Sequence, residues 1–107
     1  PKDCDSPYAL SAALSGAGSK LVVVNFHATW CPPSREATVL MELMSADFTH
    51  AVFLNVDVDE NSESTAAYGI EAFPTIKFVK NRRVIETVVG GCEAQIVGAA
   101  RRHYFWA

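Results

Sequence analysis

Long apolar runs, an excess of basic charge and paired cysteines are all missing from this sequence. Its longest apolar stretches, such as Leu21-Val22-Val23-Val24 and Val39-Leu40-Met41, fall far short of the ~20 residues that span a bilayer. No transmembrane helix and no membrane partner are expected. Pro1-Lys2-Asp3-Cys4-Asp5 has no charged-then-apolar leader, so no signal peptide is expected there. Nine Lys and Arg against twelve Asp and Glu leave a net charge of −3, which argues against a nucleic-acid partner held by charge. The three cysteines, Cys4, Cys31 and Cys92, are too few and too scattered for a disulfide-stapled scaffold, and no two have metal-ligand spacing. At least one thiol stays free, which suits a reducing, cytoplasmic compartment, with an organelle also compatible. The histidines are isolated and no glycine-rich loop could cradle a phosphate, so no metal, nucleotide or organic cofactor is indicated. No repeat, low-complexity tract or linker divides the chain, so residues 1–107 are expected to form a single domain.

What is present suits a packed core: half the residues are hydrophobic and a fifth are charged. Pro7 to Ser15 has a short helical pattern led by Ser6 as a cap. Leu21 to Phe26 is apolar at successive positions and too short for a helix, the signature of a strand buried on both faces. Pro33 to Phe48 reads as a helix with Ala37, Leu40, Met41 and Met44 on one stripe. Ala51 to Val58 is a second buried strand, and Ser62 to Tyr68 a short helix ended by Gly69. Thr75 to Val79 and Val84 to Val89 are strands joined by a hairpin-like turn at Lys80-Asn81-Arg82-Arg83. Glu93 to about Tyr104 forms the last helix. Alternating strands and helices predict an α/β fold with a parallel core, helices on both faces and an antiparallel edge hairpin. A strand before Pro7 would be short, and the residues there are poor strand formers.

The most informative segment is Val24-Asn25-Phe26-His27-Ala28-Thr29-Trp30-Cys31-Pro32-Pro33-Ser34-Arg35. It places Cys31 between the end of a buried strand and the start of a helix, where open α/β sheets place their sites. A helix N-terminus offers unpaired N–H groups and a partial positive charge, so it stabilises a thiolate. Pro32 costs nothing in a first turn, because its missing N–H had no helical partner. Ser34 lies one turn along the same face; its hydroxyl can donate a hydrogen bond to a Cys31 thiolate but cannot form a disulfide. Further on, Tyr68-Gly69-Ile70-Glu71-Ala72-Phe73-Pro74-Thr75 puts proline at a strand entrance, a setting for a cis peptide. A cis Pro74 would leave the backbone of Ala72 and Phe73 unpaired and able to hold an extended substrate.

Trp30-Cys31-Pro32-Pro33-Ser34 resembles the thioredoxin active-site motif with its second cysteine replaced by serine. The Pro-Pro pair and Arg35 look most like the variant motif of tryparedoxins and nucleoredoxins. The resemblance runs from about Tyr8 to Tyr104 and includes the Val-Val-Asn-Phe strand, the Val56-Asp57-Val58-Asp59 strand end, the Phe-Pro-Thr loop and Gly90-Gly91. It implies a thioredoxin fold, a central mixed sheet flanked by four helices. It further implies Cys31 as the nucleophile, a cis Pro74 beside it, and target peptides gripped by Trp30, Phe73 and Gly90, with Pro32 and Ala72 bordering the same surface. The implied role is redox homeostasis and electron transfer to protein disulfides, with glutathione or a thioredoxin-reductase-type donor supplying electrons.

Three departures accompany the match. Ser34 stands at the resolving cysteine, so a mixed disulfide would persist until an external thiol attacked it. Asn25 stands where the family usually has a buried aspartate, so the resolving proton acceptor is missing; a satisfied buried amide is the reading favoured for it. Val39 stands where the family kinks this helix with proline, so a straighter helix is expected. Ser34 is either natural, since losing thiol and acid together is coherent, or a substitution of the kind used to trap complexes.

His27 is expected to face away from the site at the strand end, with tuning of the thiolate as the alternative. Trp30 is expected to be partly exposed for recognition. Cys92 is expected to be a small, partly buried hydrophobe, with a reactive or dimer-forming thiol as the alternative. Cys4 is expected in a mobile end as a free thiol. Asp57, Asp59, Glu60 and Glu63 read as a solvated loop and helix start, and Lys80, Arg82 and Arg83 as charges keeping the edge hairpin soluble. Tyr104-Phe105-Trp106 either packs back on the sheet or forms an association patch, leaving a monomer or a weak dimer open. Three readings compete: a monothiol thiol-disulfide oxidoreductase, a dithiol reductase carrying a Cys-to-Ser change, and a non-catalytic peptide-binding module.

Overall fold

The structure is a computed structural model that describes residues 1–105. Nine elements follow one another: β1 (Lys2–Asp3), α1 (Pro7–Gly16), β2 (Val22–His27), α2 (Pro32–Asp47), β3 (Val52–Asp57), α3 (Ser62–Ala67), β4 (Thr75–Lys80), β5 (Arg83–Val89) and α4 (Glu93–Phe105). The strands form one five-stranded sheet in the order β1-β3-β2-β4-β5. β1, β3 and β2 run parallel, whereas β4 lies antiparallel to both β2 and β5. This is the mixed sheet with four helices expected from the alternation of elements. Boundaries shift from the sequence reading by one or two residues, as helix and strand ends do.

Side-chain alternation along the strands divides the core into two faces. Val23, Phe53, Ile76, Phe78 and Val88 point to α2 and α4, where they meet Leu40, Met41, Met44, Ile96 and Ala99. Val22, Val24, Phe26, Leu54 and Val56 point the other way, to Leu10, Leu14 and Ala17 of α1. This parity also decides where Asn25 and Asn55 go. Each follows a residue of the α1 face, so both lie on the face covered by α2.

Two expectations fail at the N-terminus. The poor strand former Lys2-Asp3 does pair, in register with Leu54 and Asn55. Cys4, expected in a mobile end, is fully buried. The Cys4 N–H donates to the Asn55 carbonyl at 2.8 Å, and Asn61 Nδ2 donates to the Cys4 carbonyl at 3.1 Å. Asn61 also caps α3 by accepting from the Ser64 N–H. One buried amide thereby sews the N-terminal segment to the start of a helix.

The hairpin turn is tight, with Lys80 opposite Arg83. Asn81 and Arg82 both have positive φ, 51° and 64°, which matches the right-handed twist of the flanking strands. Arg82 is exposed, as a turn charge should be, and it also makes contacts that the sequence did not suggest. Its guanidinium donates to the Ser11 carbonyl at 3.0 Å, to Ser15 Oγ at 2.7 Å and to Ser11 Oγ at 3.2 Å, tying the hairpin to α1. At the other end of the sheet, Tyr104 packs edge-on against Phe48 at 5.0 Å and its hydroxyl accepts from the His50 N–H. Phe105 is exposed. Trp106, the third member of that aromatic group, lies outside the described residues.

Candidate active site

Three segments converge at the carboxyl end of β2. The first is the start of α2. Cys31 occupies its N-cap in an extended conformation (φ −103°, ψ 116°), and its side chain makes no capping bond. Pro32 and Pro33 fill the first two helical positions, which removes two of the N–H groups an N-terminus normally presents. The second segment is the loop before β4, where the Phe73–Pro74 peptide is cis, as the strand-entrance proline suggested. The third is the Gly90-Gly91 turn after β5. The Gly90 N–H donates to the Pro74 carbonyl at 2.8 Å. A Cβ on Gly91 would lie 3.5 Å from the Pro33 carbonyl oxygen and 3.8 Å from Pro74 Cγ. Gly90 has φ +97°, which a larger residue rarely adopts.

The Cys31 thiol is half-buried at this junction and faces the Phe73 carbonyl, with Sγ···O at 3.7 Å. Above it Trp30 is 62% exposed, and it is held on two sides. Its indole N–H donates to Asp59 Oδ2 at 2.9 Å, and its ring meets Phe73 edge-on at 6.0 Å. Asp59 is a member of the acidic run that the sequence assigned to solvent. Its role depends on a contact across 29 positions, so no local pattern could reveal it. Arg35 reaches back to the Thr29 carbonyl at 3.2 Å and steadies the Trp30 loop.

Beneath Cys31 lies a buried polar column. Asn25 Nδ2 donates to Thr38 Oγ1 at 3.3 Å and to Asn55 Oδ1 at 3.2 Å. Thr38 Oγ1 donates in turn to the Ser34 carbonyl at 3.1 Å. The favoured reading of Asn25 as a satisfied amide is right for its nitrogen and wrong for its oxygen, because Oδ1 has no partner. Ser34 is fully buried and its hydroxyl is also unpartnered. It makes no bond to the Cys31 thiol in this state.

A family model described as thioredoxin matches residues 10–102, a span that holds Cys31, Pro74 and Gly90 together. The chain belongs to the thioredoxin family. It is similar to thioredoxin of Ictalurus punctatus, 42% identical over 87 residues that cover 79% of this chain and 81% of that protein. It is also similar to a peptide-N(4)-(N-acetyl-beta-glucosaminyl)asparagine amidase of Caenorhabditis briggsae, 36% identical over 86 residues. That match covers 80% of this chain but only 14% of the amidase. Among solved structures, thioredoxin of Fasciola hepatica superposes with a TM-score of 0.93 at 28% identity, over 96% of this chain and 99% of that one.

The thioredoxin fold therefore carries the site, with Cys31, Pro74, Trp30, Phe73 and Gly90 gathered as the resemblance implied. Pro32 is exposed at the same rim. Ala72 departs from the expectation of an unpaired backbone, because its carbonyl accepts from Thr75 Oγ1 at 2.7 Å. His27 lies at the end of β2, facing a different cleft of about 490 Å³ lined with Asp3, Asp5, Thr29, Asp57 and Glu60, so it turns away from Cys31 as expected. Val39, where the resemblance implied a kinking proline, is exposed within an uninterrupted α2. Cys92 is exposed, not the partly buried hydrophobe expected, because it follows the Gly90-Gly91 turn and precedes the first residue of α4. Burial pushes the Cys4 thiol up from its ordinary value, with a smaller opposing effect of Lys2. Cys4 is also the least accessible of the three thiols. Among the described residues no three His, Cys, Asp or Glu side chains cluster to hold a metal ion, and no helix is long and apolar enough to cross a membrane.

Proposed function

We propose that this chain is a monothiol thiol-disulfide oxidoreductase acting on protein disulfides. The Cys31 thiolate attacks one sulfur of a substrate disulfide; a Cys31–substrate bond forms and the other sulfur leaves as a thiolate. An external thiol, glutathione or a thiol of a reductase-type donor, then attacks the substrate sulfur. That step releases Cys31 as a thiolate and passes the oxidised bond to the external thiol. The observation that carries the reading is the half-exposed Cys31 at the start of α2, hemmed by cis Pro74 and the Gly90-Gly91 turn. A shallow groove of about 230 Å³ along Ala72, Thr75 and Val89 borders the site and suits an extended chain. A single reactive thiol and an exposed Cys92 suit a reducing, cytoplasmic setting, and no step needs more than one copy of the chain.

The test is alkylation at neutral pH, read peptide by peptide. Cys31 and Cys92 each precede the first turn of a helix, so Cys31 is expected to react about tenfold faster than exposed Cys92 only if the cis Pro74 loop and the Gly90-Gly91 turn complete a reactive site around it. Buried Cys4 should be slowest. Equal rates at Cys31 and Cys92 would reduce the site to a peptide-binding groove without chemistry.

A second reading is favoured by one observation, the unpartnered hydroxyl of Ser34. A buried thiol tolerates the lack of a partner better than a buried hydroxyl does, so Ser34 also fits as the substitute for a second cysteine. Ser34→Cys separates the two. Full disulfide reduction without added monothiol would assign the scaffold to dithiol chemistry, and its absence would leave the monothiol reading.

A further inference from the structure

We infer that the cleft at the amino end of β2 is a binding site for a small phosphomonoester, separate from the Cys31 site. The cleft holds about 300 Å³. It gathers Ser19 and Lys20 from the loop before β2, His50 from the loop before β3, Lys80 from the end of β4, and His103 and Tyr104 from α4. Buried Leu21 supplies its apolar lining. Among the described residues that line it, none is acidic, although the chain has twelve Asp and Glu against nine Lys and Arg. The chemistry of Cys31 uses none of these residues, so the inference stands apart from the reading of that thiol.

The acidic side chains are gathered elsewhere. Asp3, Asp5, Asp57 and Glu60 line the cleft beside His27, the last residue of β2, whereas Leu21 immediately precedes its first. At about 3.3 Å per residue, the strand puts about 20 Å between its two ends. Exposed charges are largely screened beyond about 8–10 Å, so those carboxylates do not cancel the lysines. Among the described residues neither Lys20 nor Lys80 has a carboxylate within ion-pair distance. One carboxylate, Glu86, does touch a residue of the cleft, but it is taken up by His103 Nε2 at 2.6 Å and Arg102 Nη2 at 2.7 Å.

The donors are held in place without being used up. Lys80 is half-buried, and its ammonium makes one long bond to the His103 carbonyl at 3.5 Å, which leaves two protons to give. The Tyr104 hydroxyl accepts from the His50 N–H at 3.2 Å and keeps its own proton for a ligand. Its ring is fixed edge-on against Phe48. Lys20 and Ser19 add a second ammonium and a hydroxyl from the facing loop. Lysines are point charges that can approach a tetrahedral phosphate from several sides; the planar fork that arginine offers a carboxylate is not part of the lining. Two ammonium groups match the charge of about −1.5 to −2 on a phosphomonoester at neutral pH. The volume lies at the small end of ligand pockets and suits a phosphate carrying a short polyol. A net charge of −3 disfavours an anionic membrane or a nucleic acid as the source of that phosphate. Because side chains make the site, it needs no glycine-rich loop.

The experiment titrates glycerol phosphate into the isotope-labelled protein at constant ionic strength and neutral pH, and follows the backbone amide resonances. Saturable shifts are expected at Lys20, Leu21, His50 and Lys80, with none from glycerol. Lys20→Gln and Lys80→Gln should each weaken binding about tenfold, the loss of one charge-assisted hydrogen bond, while amides away from the cleft keep their positions. Lys20 is exposed, so its variant tests the site even if Lys80→Gln disturbs the fold. Shifts that rise without saturating and are matched by sodium chloride would overturn the inference, leaving charge screening alone. Saturable binding that survives both lysine changes would also overturn it, by placing the ligand elsewhere. Tighter binding of a phosphoserine peptide than of glycerol phosphate would overturn the assignment to a small ligand.

Discussion

Asn25 shows how much a single buried residue can demand of its neighbours. Its nitrogen serves Thr38 and Asn55 together, and both acceptors lie on the α2 face of the sheet by strand parity. An ionised aspartate there would have no donors to offer. Asn25→Asp is expected to leave Asn55 Oδ1 without its hydrogen bond and to lower the urea midpoint by the equivalent of about 1–3 kcal/mol. A stability equal to that of the parent would mean that the column rearranges at no cost. The places of Cys31 and Pro74 were legible in the sequence because they follow from neighbours along the chain: a strand end, a helix start, a strand entrance. Asp59 and Cys4 were not, since each is placed by partners far away in sequence. Cys92 was misread because a turn residue beside a helix start is exposed by geometry that composition does not record.

At the scale of elements, the β4–β5 hairpin trades backbone comfort for an attachment. Arg82 adopts φ 64°, where a side chain costs about 1–2 kcal/mol relative to glycine. In return its guanidinium spans Ser11 and Ser15 of α1. The two contributions can be separated. Arg82→Ala keeps the unfavourable conformation and loses the clamp, whereas Arg82→Gly loses both. Chemical denaturation should find the glycine variant more stable than the alanine variant by about 1 kcal/mol. The reverse order would show that the backbone is not strained at this position. The elements themselves could be read from hydrophobic pattern and turn residues, with one exception. β1 has only Lys2 and Asp3, too few for a periodicity, and it exists because β3 offers an open edge to pair with.

The whole molecule is two half-cores divided by one sheet, and its acid stability depends on how the outer elements are fastened. Glu86 of β5 accepts from Arg102 Nη2 at 2.7 Å and faces His103 Nε2 at 2.6 Å, both on α4. The Arg102 hydrogen bond, aided by His103 and opposed by partial burial, holds the Glu86 carboxyl below its ordinary value of 4.5. The folded protein then keeps the carboxylate ionised at a pH where the unfolded chain takes up a proton. This contribution is complete above about pH 4.5 and is lost as pH falls toward the lowered folded value. Arg102 is more than half exposed, so the effect is modest. Glu86→Gln should lower the melting temperature slightly at pH 7, by the equivalent of about 1 kcal/mol or less, and the difference should close as the pH approaches 3 (a round figure below the ordinary glutamate range). A constant difference across that range would remove the ion pair from the account. The mixed sheet and its two helical layers were legible from the alternation of strands and helices. The fastenings were not, because they join residues that only the finished fold makes neighbours.

The seam at Cys4 also sets an order of events for a chain made from its N-terminus. β1 has no partner until Leu54 and Asn55 exist, and the amide that closes over it, Asn61, stands 57 positions downstream of Cys4. Through that interval the thiol is open to any oxidant in its surroundings; afterwards it is enclosed. A nascent chain that stalls before Asn61 therefore presents a reactive cysteine that the completed protein hides, and a thiol tag at Cys4 would date the moment the sheet shuts.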